Sequence, residues 1–67
     1  MNIEPQLLRI HEAARFLSMP LSTLEKLTAR KQIPHIKIGR AVRFDVTDLN
    51  HWIEAKKIPI ATTSESN

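Results

Sequence analysis

Between Lys26 and Phe44 the chain carries six basic side chains, Lys26, Arg30, Lys31, Lys37, Arg40 and Arg43, and not one acid. Fixed cations at that density suit the neutralisation of a polyanionic partner. The whole chain has ten Lys and Arg against seven Asp and Glu, a net charge of +3. The signal is therefore the segment rather than the total. Charge alone would describe a solvated cationic face equally well. Other chemistries find little material. With no cysteine there is neither a disulfide nor a thiolate zinc site, which fits a reducing compartment. His11, His35 and His51 are too widely spaced for a recognisable ligand motif and read as surface or boundary residues. The single glycine, Gly39, leaves no glycine-rich phosphate loop, and no nucleophile stands in a catalytic motif. No enzymatic activity, metal, cofactor or small-molecule ligand is expected.

Sixty-seven residues make one domain at most, and a chain of this size buries only about 60% of its unfolded surface. No apolar run approaches the roughly 18 residues of a membrane span. The opening MNIEPQLLRI lacks the basic-then-apolar layout of a secretory signal, so a cytoplasmic location is expected. Residues 1–7 read as an N-terminal arm, 8–57 as the domain, and 58–67 as a flexible tail after Pro59, with mobility expected over 60–67.

The basic residues need elements to position them. Ile10, Ala13, Ala14 and Leu17 recur at helical spacing and predict a first helix over 10–17, although Arg9 is a poor N-cap. Ser18-Met19-Pro20 breaks the chain, and a second helix follows over 21–32, ended by Pro34. Its buried side is Leu24, Leu27 and Thr28, with Ser22, Glu25, Lys26 and Ala29 opposite and Arg30 beside them. Two short helices joined by a tight turn predict a helix-turn-helix, whose second helix is shaped for a DNA major groove.

Residues 35–44, HIKIGRAVRF, alternate with strand period on both sides of Gly39. A two-residue turn at Gly39-Arg40 would set Ile36 opposite Arg43. A three-residue loop, Gly39-Arg40-Ala41, gathers Ile36, Ile38, Val42 and Phe44 on one face. That loop is expected, with Lys37 and Arg43 together and exposed on the other face and Arg40 at the tip. A third helix is predicted over 46–57, with Asp45 as N-cap, Asp48 in the capping-box position and Phe44 stapled to Leu49. Ala13, Leu17, Leu24, Leu27, Leu49, Trp52 and Ile53 are expected to share one core, with Trp52 needed for its volume. The fold class is thus mainly α with a small β-hairpin, a winged helix-turn-helix whose two-stranded wing lies between helices 2 and 3.

Residues 7–53 resemble the excisionase-type, MerR-like helix-turn-helix domains of phages, plasmids and transposable elements. The resemblance rests on an ordered set: Glu12-Ala13-Ala14, Phe16-Leu17, Ser22-Thr23-Leu24, Ile33-Pro34, Ile38-Gly39-Arg40, Asp48-Leu49 and Trp52-Ile53. This chain has Arg9 where that family often has Ser or Thr, Pro20 in place of a usual capping Ser and Leu21 in place of a common basic residue. Glu25 replaces an aromatic or basic residue, and Lys31 a common helix-ending Gly. The resemblance implies a protein that binds double-stranded DNA, either an excisionase that directs site-specific recombination or a small transcriptional regulator of a mobile element. Its partners would be DNA, further copies of itself on DNA, and an integrase or recombinase. Expected DNA contacts are Ser22, Thr23, Glu25, Lys26 and Arg30 from the second helix, and Lys37, Arg40 and Arg43 from the wing. The competing reading is a protein-interaction module whose basic wing docks an acidic protein.

Overall fold

Helix α1 (Ile10–Phe16) forms where the apolar stripe begins, and Ala13 and Ala14, its two small residues, are its buried ones. The computed structural model describes residues 6–59; the expected mobility of 60–67 and most of the expected arm lie outside the described residues. Arg9 stands at the N-cap, and its side chain makes no capping bond. Instead the Glu12 carboxylate reaches back and accepts the Arg9 backbone N–H at 2.8 Å. That satisfies one of the donors a helix start leaves over. Helix α2 (Leu21–Ala29) follows, with Pro20 at its N-cap and Leu24 fully buried.

Both helices end in the same way without glycine. Met19 N–H donates to Ala14 O and Ser18 N–H to Arg15 O at the end of α1. Gln32 N–H donates to Leu27 O and Lys31 N–H to Thr28 O at the end of α2. These are Schellman closures, in which one residue turns left-handed; here those residues are Ser18 (φ 55°) and Lys31 (φ 56°). The expected run of the second helix to residue 32 is thus corrected. The helix stops at Ala29, well before Pro34 can act, because the reversal at Lys31 turns the chain so that Ile33 enters the core, where it is 3% exposed.

Strands β1 (Leu7–Leu8), β2 (Ile36–Ile38) and β3 (Ala41–Asp45) form one antiparallel sheet in the order β1-β3-β2. The pairing of Leu7 with Asp45 and Leu8 with Phe44 had no signal in the sequence pattern. Beyond it, Val46 N–H donates to Gln6 O at 3.1 Å. This bond serves the first residue of helix α3 (Val46–Lys56), and it corrects the expected cap: Asp45 occupies the N-cap position but makes no side-chain capping bond. Phe44 and Leu49, spaced as a staple across that cap, are both fully buried.

The wing register is also a correction. Ile36 pairs with Arg43, Lys37 with Val42 and Ile38 with Ala41, so the loop is the two-residue Gly39-Arg40 turn and not the three-residue one. Gly39 has φ +60° and Arg40 has no positive φ, the pattern of a type II′ turn with glycine first. Turn chemistry sets the register here because little burial opposes it. Ile38 lies beyond the core and is 56% exposed, so apolar alternation at that end gains nothing. Lys37 consequently shares a face with Val42, while Arg43 shares the opposite face with Ile36. Arg43 is half-buried rather than exposed, and its guanidinium donates to Val42 O at 2.9 Å.

The core consists of Ala13, Ala14, Leu24, Ile33, Phe44 and Leu49, with Leu17, Leu27, Val42 and Trp52 packed partly against it. Trp52 and Ile53 are half-buried, not central. The Trp52 indole N–H donates to Gln32 O at 3.0 Å, tying α3 to the segment after α2, and Lys56 Nζ lies 5.4 Å from the indole centroid. Ile53 and Trp52 instead help line an open apolar groove with Phe16, Leu17 and Met19, rimmed by Lys56 and Lys57. The architecture is a small winged helix-turn-helix.

Candidate nucleic-acid interface

Helix α2 presents two distinct sides because its apolar residues follow the helical period. Leu24 is buried and Leu27 and Thr28 are half-buried against the core, with Thr28 Oγ1 donating to Leu24 O at 2.8 Å. Ser22, Thr23, Glu25, Lys26, Ala29 and Arg30 are all exposed. Thr23, Lys26 and Arg30 fall at i, i+3 and i+7, so their side chains rise along one stripe. Arg30 is the C-cap residue of α2, outside the helix proper. Glu25 is the acid on this face, and no ion pair joins it to Lys26, Arg30 or any other described residue. The one ion pair among the described residues, Lys57 with Glu54 at 2.8 Å, lies at the far end of α3.

The wing distributes its cations differently. Arg40 occupies the second position of the turn and is exposed at the tip. Lys37 and Arg43 stand on opposite faces of the hairpin, which is what the observed register dictates. The structure therefore brings Ser22, Thr23, Lys26 and Arg30 onto one helix surface, and Arg40 onto the wing tip, but it does not bring Lys37 and Arg43 together.

Arg9 and His11, which are not among the expected DNA contacts, meet the wing. Arg9, Ile10 and His11, at the start of α1, line a hollow together with Arg40, Ala41, Val42 and Arg43. Strand β1 accounts for the encounter: it pairs with β3 immediately before α1 begins, which seats the first residues of α1 beside the outer part of β3. Arg9 and His11 lie some thirty residues from the wing in sequence, and no local pattern announces such a contact. Glu12 is the acid nearby. The bond from the Arg9 amide, opposed by desolvation and aided by the charges of His11, Arg9 and Arg15, holds its carboxyl below the ordinary value of 4.5.

A helix-turn-helix domain family model matches residues 7–57, well over half of the chain. The chain belongs to the helix-turn-helix domain family. That family is one of excisionase-type domains, and membership implies DNA binding. No curated protein and no solved structure matches the chain. In this helix-turn-helix domain α2 is the second helix of the motif, the one whose outer side faces a major groove in such proteins. No helix among the described residues is long and apolar enough to cross a membrane.

Proposed function

We propose that this protein binds double-stranded DNA by laying the exposed side of α2 in a major groove while the wing rests on the adjacent minor groove or its backbone. The observation that supports this most directly is the α2 surface itself, with Lys26 and Arg30 exposed and without acidic partners among the described residues. Ser22 and Thr23 hydrogen-bond phosphate near the start of α2, and Lys26 and Arg30 reach phosphate or a guanine edge. Glu25 lies among them, facing the groove, where it accepts from a cytosine amine or contacts nothing. Arg40 enters the minor groove or meets its phosphates. The separation of Lys37 from Arg43 suits this pose, because a hairpin set tip-first over a groove has a phosphate strand on either side.

Such a protein acts in a phage or other mobile element as an excisionase, working with an integrase or recombinase, or as a small transcriptional regulator. The domain serves either role with the same surface. The test is an electrophoretic shift with random-sequence duplex at low salt. Retardation of the duplex is expected; no binding even there would favour an acidic protein as the partner of the wing.

A further inference from the structure

The shallow, open hollow between α1 and the wing has an apolar floor of Ile10, Ala41 and Val42, and three arginines and a histidine, Arg9, His11, Arg40 and Arg43, line it as well, from two segments far apart in sequence. Two of these, Arg40 and Arg43, already belong to the proposed DNA surface; Arg9 and His11 do not. Both are exposed. Arg9 caps α1 through its backbone amide, which donates to Glu12; its guanidinium acts on that carboxylate through charge and makes no hydrogen bond to a described residue. The guanidinium donors are left to do something else. Glu12 is close to Arg9, and its carboxylate is held on the Arg9 amide. The excess of positive charge in a concave site suits an anion with several oxygens, for which guanidinium groups offer paired donors.

We propose that Arg9 and His11 form a phosphate clamp with Arg40 and Arg43, gripping the DNA strand that flanks the wing. The proposal rests on the DNA-binding reading and adds α1 to the interface. The clamp makes the first helix a holder of the backbone, so that the wing and α1 grasp one strand between them while α2 occupies the major groove. It contributes affinity and register and no base discrimination, because phosphates carry no sequence information.

The test uses the full chain and a random-sequence duplex of about 20 base pairs, with binding followed by fluorescence anisotropy across a salt series. Arg9→Gln keeps the backbone bond to Glu12 and removes the charge, and thermal melting of each variant checks that the fold is retained. If Arg9 neutralises one phosphate, Arg9→Gln makes the log–log salt slope shallower by about 0.9, so its deficit against wild type shrinks about eightfold for each tenfold rise in salt. Arg9→Lys restores the slope, which a merely structural role for the side chain would not require. Arg9→Gln combined with His11→Gln binds more weakly than Arg9→Gln alone. If the wild type binds duplex and the folded double variant matches it in slope and affinity, the clamp is overturned while the DNA reading stands. If the wild type fails to bind duplex at low salt, both fall together.

Discussion

Ser18 and Lys31 hold a backbone conformation, φ 55° and 56°, that costs an ordinary residue about 1–2 kcal/mol and glycine almost nothing. Each closes a helix whose last carbonyls are already satisfied, so the closure survives substitution and only the strain changes. Ser18→Gly should stabilise the protein by about 0.5–1 kcal/mol, after allowance for the greater freedom of glycine in the unfolded chain, and urea denaturation would show it as a higher midpoint. An unchanged or lower midpoint would mean that Ser18 gains something the backbone does not reveal. Glu12 gives a second test. Its folded pKa lies below 4.5, so its charge stabilises the fold at neutral pH, and that contribution fades as pH falls through 4.5 and then through the folded value. Glu12→Gln keeps an acceptor for the Arg9 amide but carries no charge. Wild type should melt above this variant at neutral pH, with the gap closing as pH is lowered below 4.5. A constant gap would show that the charge does not matter.

At the scale of elements, the wing and α3 respond to different forces. The wing is held by its turn: a Cβ on Gly39 would meet nothing within 4 Å, so Gly39→Ala acts through backbone strain alone. It should cost about 1–2 kcal/mol, seen as a lower melting temperature and faster amide exchange across β2 and β3. Helix α3 is started by the Gln6 carbonyl just ahead of β1, so Asp45→Ala should cost less than the ~1 kcal/mol of a working cap. Trp52 ties α3 to Gln32 O from a half-buried site, and Trp52→Ala should cost about 2 kcal/mol, against about 3–5 for Phe44→Ala at the fully buried centre. Chemical denaturation of the two variants would rank them, and the opposite order would place the core elsewhere. These elements also show what was legible in the sequence. Helical periods at Ala13, Leu24 and Leu49 marked three helices because those residues do enter the core. Alternation misled at Ile38, where there is no core to enter, and Trp52 was read by its size although its N–H sought a carbonyl. Strand β1 and the meeting of Arg9 with Arg40 depend on pairing across more than thirty residues, for which two leucines give no periodic signal.

For the whole molecule, the proposed DNA surface is made of a helix and a wing that can be used together only on a duplex. A domain this small supplies few contacts, so a lone copy should bind weakly and discriminate poorly. Useful specificity then needs several copies on adjacent sites or a partner protein already on the DNA. On a duplex long enough for several copies, titration should be cooperative, and tight, non-cooperative binding to a single short site would contradict this. The measurement that bears most directly on the central claim is the salt dependence of binding to a random-sequence duplex. Lys26, Arg30, Lys37, Arg40 and Arg43 together predict a log–log slope of about −4 to −5, from ~0.9 for each neutralised phosphate, and about one unit steeper with Arg9. A slope near zero, or no binding at low salt, would contradict the account.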